Sequence, residues 1–384
     1  MNTKHVLLRV VSLFFFIVSA CSVLAQGTSF QKLNKSNIYV GIEVGSKGVK
    51  MSVVEIGKNA RQTGAFQILK DTSVNTDFIA FTDASFSATL QAFAGLFEYA
   101  LNQVGVPSKH IFTVVSSGVK MQADKQKKAE IVQLLIASFR TKINEPQRSV
   151  EVVDVKLEAR LSHLGIVPDV RRFNTFLIDI GSGNSKGGYF PYTTTEEFRL
   201  FQLNWGTKSV AGAVEKGLEG EVTLTNYYNQ LTRVLNGAEA TDIVYAINAS
   251  GAYSLNDNIA FSGGIAWSVA TLIYPELLNN NVVPVTYDDV LKFSSVLYSN
   301  FKSISPELLA RRIKDPSVNK NEVLQQTQRV YAVFDQKSLM AGTGLMLKIM
   351  RQFKSAYESK QFYLVKNGHV GWISAYVSQS LQQD

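Results

Sequence analysis

The sequence predicts an α/β protein made of two like halves around a shared cleft. Three observations carry this prediction. β-rich runs alternate with runs of helical periodicity, a strand-turn-strand unit with a glycine turn occurs twice, and in both copies the first strand ends on an acid, Glu43 and then Asp179. The 384 residues suffice for two packed units, and 46% hydrophobic with 18% charged residues is an ordinary globular balance. The 26 glycines against 8 prolines exclude a low-complexity chain.

The first half opens with strands over 38–44 and 49–56, joined by Gly45-Ser46-Lys47-Gly48, which reads as a hairpin. A third apolar stretch over 65–69 completes a meander. Phe86, Leu90, Phe93, Phe97 and Leu101 then recur at helical spacing. A strand over 111–115, a helix over 125–139 and a strand over 150–155 give the order βββαβαβ, a central sheet layered by helices. The second half repeats the opening with strands over 175–180, 185–190 and 198–203. Helices over 208–216 and 224–235 and strands over 243–247 and 258–261 follow. From Ala266 the pattern is mostly helical, with Leu339, Leu345, Leu347, Ile349 and Met350 in one long helix and Trp372, Tyr376 and Leu381 in the last. These elements divide the chain into domains over 37–160 and 161–384, the second including the C-terminal helices, with a hinge expected near 156–175.

Residues 1–25 are of different composition. Lys4 and Arg9 precede an apolar run that contains Phe14-Phe15-Phe16, and small residues follow through Val23-Leu24-Ala25, the pattern of a secretory signal peptide. Cleavage after Ala25 would release an exported protein, periplasmic or secreted. Val18-Ser19-Ala20-Cys21 also fits lipoprotein processing, with a lipid anchor on Cys21 and an outer-membrane location. Cys21 is the single cysteine, which excludes a disulfide framework and a thiolate metal site. Loss of Lys4 and Arg9 takes the formal charge from +8 to +6, a balance that favours anionic partners. The Lys125, Lys127 and Lys128 cluster reads as the solvated start of an amphipathic helix.

Turns rich in Gly and Ser let backbone N–H groups converge on phosphate oxygens, and two such turns face to face can clamp a phosphate chain. Neither turn is a P-loop, and GSGNSKGG is not a dinucleotide fingerprint. By spacing alone both could be plain hairpin turns. The chain also carries no recognisable nucleic-acid module.

Several stretches together carry a resemblance. IYVGIEVGSKGVKMSVVEI is similar to the first phosphate loop of the actin, Hsp70 and sugar-kinase superfamily, and LIDIGSGNSKGG to the second. FTVVSSGVKMQAD, VKLEARLSHLGI, EEFRLFQLNWGTKSV and IAFSGGIAWSVATL follow in the order of the exopolyphosphatase and guanosine pentaphosphate phosphohydrolase family. The likeness spans nearly all of 37–275 and then thins to VFDQKSLMAGTGLMLKIM and KNGHVGWISAYV. It implies two RNase H-like domains and hydrolysis of terminal phosphoanhydride bonds, with Mg²⁺ or Mn²⁺ and an activated water. Glu43 and Asp179 would hold the metal. Glu158, the second acid position of the family's EEAR pattern, would act on the water. Gly45, Ser46, Lys47, Lys120, Gly181, Ser182, Gly183, Asn184, Ser185, Lys186, Gly263 and Gly264 would bind phosphate.

The sequence also departs from that pattern. Leu157 replaces the first acid of EEAR, Lys186 replaces the acid that ends the second loop, Lys120 stands for an arginine, and Ser209 for another. Lysine at 186 adds a phosphate-pairing charge and favours holding an anion over hydrolysing one. Each site residue has a plainer reading. Glu43 and Asp179 could cap turns, Glu158 could be a solvated helix residue paired with Arg160 or Arg172, and the serines could be turn hydroxyls, since no histidine is placed to activate them. His163 reads as a helix-surface residue, and Tyr227, Tyr228, Trp267 and Trp372 could line a binding surface, although aromatic residues at helical spacing usually belong to the core. Two functions therefore remain open. One is an exported hydrolase of polyphosphate or a related polyanion; the other is a catalytically degenerate polyanion-binding or scaffold protein that keeps the clamp. Nucleotides are scarce outside the cytoplasm, so export favours polyphosphate over ATP in either case.

Overall fold

The computed structural model describes residues 37–46, 48–56, 66–354 and 360–380. Residues 1–36, on which the signal-peptide and Cys21 expectations fall, and Lys47 of the first turn lie outside the described residues. Strands β1 (Ile38–Gly45) and β2 (Gly48–Ile56) form the first hairpin, and β3 (Phe66–Asn75) extends it antiparallel. Val40, Ile42 and Val44 on β1 are fully buried, and so are Val49, Met51 and Val53 on β2, as expected of a sheet with layers on its faces.

Helix α1 (Asp83–Tyr99) starts where Thr82 Oγ1 accepts the Ser85 N–H at 3.2 Å and Ser85 Oγ accepts the Thr82 N–H at 3.0 Å, a reciprocal cap. Strand β4 (Ile111–Val115) returns parallel to β1 and is followed by α2 (Ser117–Gln126) and α3 (Ala129–Lys142). The helix expected over 125–139 is thus two helices. Lys127 stands between them with φ 56°, so the lysine cluster marks a turn as well as a helix start. Phe93 of α1 stacks on Phe139 of α3 at 3.7 Å between ring centroids, and burial of each ring is worth roughly 1.5–3 kcal/mol. Strand β5 (Val150–Val152) pairs parallel with β4 and closes a sheet of order β3-β2-β1-β4-β5.

Helix α4 (Val155–Ile166) leads to a second meander, β6 (Thr175–Ile180), β7 (Ser185–Tyr189) and β8 (Arg199–Leu203). Helices α5 (Thr207–Lys216), α6 (Leu224–Ala238), α7 (Val244–Ser250) and α8 (Ala252–Leu255) precede β9 (Asn258–Ser262), which pairs parallel with β6. Then come α9 (Gly264–Ile273), β10 (Val282–Val285), α10 (Tyr287–Ser299), α11 (Pro306–Arg312), α12 (Lys320–Val333), α13 (Gln336–Phe353), β11 (Gln361–Val365) and α14 (Gly368–Ser380). The second sheet runs β8-β7-β6-β9-β11-β10. Its first five positions repeat the first sheet, with β11 in the place of β5 and β10 added antiparallel at the edge. The duplication read from the two hairpins therefore extends through both sheets.

Two further regions differ from the sequence reading. The stretch 243–247 is helical, because Ile243 and Ile247 bury one face at a spacing of four while Tyr245 is exposed. The strands β10 and β11 stand in a region read as helical. Each is a short apolar run whose β state comes from long-range pairing.

Helix α4 belongs to both cores. Leu161 packs with Tyr39, Val54 and Val114 of the first sheet and with Val153 just after it, whereas Ala159 packs with Phe190 and Phe198 beside the second. Helix α14, last in sequence order and assigned there to the second domain, packs on the first sheet: Val370, Trp372 and Ile373 join that same Tyr39 cluster. Its approach to α4 is set by glycine. A Cβ on Gly165 would stand 1.9 Å from the Gly371 carbonyl oxygen, so only hydrogen fits between the two backbones.

Candidate functional site

The register places an acid directly opposite a lysine in each hairpin. Glu43 of β1 faces Lys50 of β2, and Asp179 of β6 faces Lys186 of β7. Opposite residues of an antiparallel pair project to the same face about 5 Å apart. Both acids stand near the carboxyl ends of central strands, where open α/β sheets place their ligands. The two copies meet at one centre: Lys186 acts electrostatically on Glu158, Asp179 and Glu43, and Lys50 acts on both Glu43 and Asp179.

Glu158 enters this centre from the first turn of α4, a helix started by Asp154, whose side chain accepts the Leu157 N–H at 2.7 Å. The glutamate is 5% exposed. Its Oε1 accepts from Lys186 Nζ at 2.5 Å, and its Oε2 accepts the backbone N–H of Ser117 at 2.9 Å. Ser117 is the first residue of α2, so the carboxylate also sits at the positive end of that helix. Lys186 Nζ reaches Ser117 Oγ at 3.3 Å.

The charge states follow from these contacts. Burial pushes Glu158 up, but Lys186 and the Ser117 hydrogen bonds outweigh it and hold the carboxyl below its ordinary value. Burial pushes Lys186 down, and the carboxylates of Glu158 and Asp179 more than reverse this, so its pKa is raised and it stays an ammonium. Glu43 and Asp179 are both raised, chiefly by burial, with the negative charge of Glu158 adding to it. Ser117 beside a protonated lysine is not an activated nucleophile, because the ammonium has no lone pair to take the hydroxyl proton.

The loops around the centre are tied to the scaffold. Ser46 Oγ lies 2.8 Å from where a Cβ on Gly118 would stand, so the Gly45-Ser46 turn touches the start of α2. In the second loop the Gly181 N–H donates to Asn184 O at 3.0 Å. The carbonyl of Gly181 accepts the Thr207 N–H at 3.0 Å, and that of Ser182 accepts the N–H groups of Lys208 and Ser209 at 2.7 and 3.2 Å, which spends the first amides of α5 on the loop. Ser185 is fully buried and donates to Trp205 O at 2.7 Å, a structural bond. Ser182 and Gly183 are exposed at the loop tip. Gly263 has φ +92°, and a Cβ there would stand 2.4 Å from Ile180 O and 2.9 Å from Asp179 Oδ1, so the glycine pair with Gly264 abuts the second-strand acid. Ser262 Oγ donates to that same Oδ1 at 3.1 Å.

The fold as a whole is similar to solved structures. A Ppx/GppA family member from Aquifex aeolicus is 16% identical with a TM-score of 0.60, over 90% of this chain and 98% of that one. The fold is that of the Ppx/GppA proteins. An exopolyphosphatase-like protein (14% identity, TM-score 0.54, 91% of this chain and 100% of that one) and an exopolyphosphatase from Cytophaga hutchinsonii (14%, 0.53, 89% and 98%) share it. No family model matches the sequence, and no curated protein matches it.

On this Ppx/GppA-like fold, Glu43, Glu158, Asp179 and Lys186 converge, with the second loop and Gly263 beside them. Lys120 instead pairs with Asp124 on its own helix at 2.6 Å. The plainer partners weighed for Glu158 are engaged elsewhere, Arg160 with the Thr195 carbonyl and Arg172 with Asp169. Leu157 packs in the Tyr39 cluster, and the Ser209 hydroxyl accepts the Gly206 N–H at 2.7 Å, so both departures have structural uses. The resemblance implies a divalent cation on Glu43 and Asp179, but the donor set as arranged does not fit one. Lys186 already brings a positive charge among these carboxylates, and among the described residues no group of three His, Cys, Asp or Glu is placed to hold a metal ion.

Three contributors were not singled out from the sequence. Lys50 is identifiable only through its register opposite Glu43. Ser117 supplies the backbone N–H that fixes Glu158. Trp372, read as core, is buried, and from α14 its indole acts on Glu43 in the direction that favours the charged carboxylate. His163, read as a surface residue, is fully buried against Phe190, and Nε2 lies 2.9 Å from Thr175 O.

Proposed function

We propose that this protein is a non-hydrolytic variant on the phosphatase fold, in which the centre for water attack is closed by an ion pair and the two-loop cleft serves to bind a linear polyanion of the polyphosphate class. The observation that carries the reading is the double engagement of Glu158, with Lys186 on one oxygen and the Ser117 N–H on the other. A general base needs a free lone pair aimed at its water and a pKa near the working pH. Glu158 has both oxygens committed to protein donors and its carboxyl held below the ordinary value, which moves it away from that role. Support for an anionic ligand comes from the formal charge, +8 for the full chain and +6 without residues 1–25, and from the exposed Lys50 and Lys208 beside the two loops. The composition of residues 1–25 supports an exported location, where polyphosphate is a better-suited ligand than a nucleotide.

Phosphate release from long-chain polyphosphate, measured with the purified protein in Mg²⁺ or Mn²⁺, tests this. The expected result is no release above that of Glu158→Gln, together with salt-sensitive polyphosphate binding. Release by the native protein that Glu158→Gln abolishes would restore the hydrolase reading. Absence of both turnover and binding would leave the cleft a structural platform.

A further inference from the structure

We propose that Lys186 is a resident cation that takes the place of a divalent metal ion at the centre formed by Glu43, Glu158 and Asp179, so that this cleft is metal-independent. The inference rests on the reading of the centre as closed to water attack, and it is tested separately from it.

The geometry supports the assignment in three ways. First, Lys186 is in register with Asp179, the acid at the end of the central strand of the second sheet, and its ammonium crosses to Glu158 of α4 at 2.5 Å. One tethered charge thereby acts on acids from β1, α4 and β6 at once, which is the task of a bridging ion. Second, the side chain is committed inward. Its side-chain exposure is 13% and that of the Glu158 side chain is 7%, whereas Lys50, its counterpart across the first hairpin, is exposed. A buried ammonium is held in place only by carboxylates, and a buried carboxylate only by a cation or donors, so each explains the other. Third, the contacts suit an ammonium. It has three donors and no acceptor, and it meets the Glu158 carboxylate and the Ser117 hydroxyl, both oxygen acceptors. A tethered cation needs no free metal and is not removed by a chelator.

Lysine in this place also alters what a second cation would meet. A divalent ion brought beside Lys186 would be repelled by an ammonium a few ångströms away, the more strongly the less water-like the surroundings. Removal of the ammonium should therefore lift that repulsion and let Glu43, Glu158 and Asp179 attract a divalent ion.

Mn²⁺ titration of the purified native protein and of Lys186→Ala, read by calorimetry and by thermal unfolding in Mn²⁺ against EDTA, decides the matter. The native protein is expected to show no Mn²⁺-dependent shift. Lys186→Ala is expected to bind Mn²⁺ at least about tenfold tighter than native, from the loss of one neighbouring positive charge. Addition of Glu43→Gln to that variant should weaken it again. Stoichiometric Mn²⁺ binding by the native protein would overturn the proposal, as would a folded Lys186→Ala that binds no better. Should Lys186→Ala fail to fold in EDTA, recovery of its near-ultraviolet circular dichroism in Mn²⁺ supports the proposal and equal failure in both overturns it. Polyphosphate hydrolysis that persists in EDTA would sink the non-hydrolytic reading and leave this inference standing; native Mn²⁺ binding without hydrolysis would do the reverse.

Discussion

Gly165 of α4 and Gly371 of α14 meet backbone to backbone, with the place of a Gly165 Cβ 1.9 Å from the Gly371 carbonyl oxygen. No side-chain rotation can relieve that contact, because the obstructing atom is main chain. Gly165→Ala should push the C-terminal helix outward and cost about 1–3 kcal/mol by overpacking, the sum read from urea unfolding. The same displacement should reach the site, since α14 carries Trp372 to Glu43. A red shift of tryptophan emission in the folded variant would report it; an unchanged spectrum with native stability would show that the crossing is not tight.

Trp372 separates packing from hydrogen bonding. The residue is buried in the Tyr39 cluster, and its indole acts on Glu43 as a donor would, favouring the charged carboxylate. Trp372→Phe keeps most of the ring and removes the donor, so it should cost about 1–3 kcal/mol, the scale for leaving a buried acceptor without its partner. Trp372→Ala loses the packing as well and should cost roughly 3–5 kcal/mol. Equal losses in chemical denaturation would mean that the hydrogen bond contributes nothing.

His163 gives the fold an acid-sensitive point. Its Nε2 lies 2.9 Å from the Thr175 carbonyl, so Nε2 carries the hydrogen in the neutral ring, and Nδ1 is buried without a partner among phenylalanine rings. Burial, opposed by that hydrogen bond and aided by the charge of Arg172, lowers its pKa to about 4. A depressed value means that the unfolded chain takes up the proton first as pH falls. Stability should therefore be level above about pH 6.5 and decline toward pH 4, by about 3 kcal/mol in total for this group. The check is the difference between the native protein and His163→Gln in unfolding free energy from pH 7 to 5, before most carboxylates titrate. A native slope equal to that of the variant would remove His163 as its source.

The sequence carried the two acid-ended hairpins because a hairpin is local: turn chemistry and alternating burial are written into adjacent residues. Glu43 and Asp179 could be paired across 136 positions only because the unit repeats. What pairing over distance decides was not legible. Strand β11 becomes β by joining β9 about 100 residues away, and α14 returns to the first sheet through a glycine contact that no periodicity marks. Lys186 stands as a departure in the sequence, but its direction does not. Placed in a glycine turn it reads as a phosphate ligand, and only the position of Glu158 across the cleft shows its charge already spent. His163 was misplaced for a similar reason, since helical periodicity shows which residues share a face but not that a second sheet covers that face.

The Lys186 and Glu158 pair should be asymmetric when broken. Removing one partner of a buried ion pair strands the other charge, at roughly 3–5 kcal/mol. Lys186→Met strands Glu158 and also withdraws the cation from Asp179 and Glu43, so it should sit at the upper end of that range. Glu158→Gln is milder. Its amide oxygen still accepts the Ser117 N–H, and Lys186 keeps Asp179 and Glu43 as partners. The double variant Lys186→Met, Glu158→Gln should be more stable than Lys186→Met alone, because the stranded charge has gone with its partner. Denaturant unfolding of the four proteins at pH 7 measures the coupling. Strict additivity would mean that the pair is not formed in solution, and with it would go the closed centre on which the non-hydrolytic reading depends.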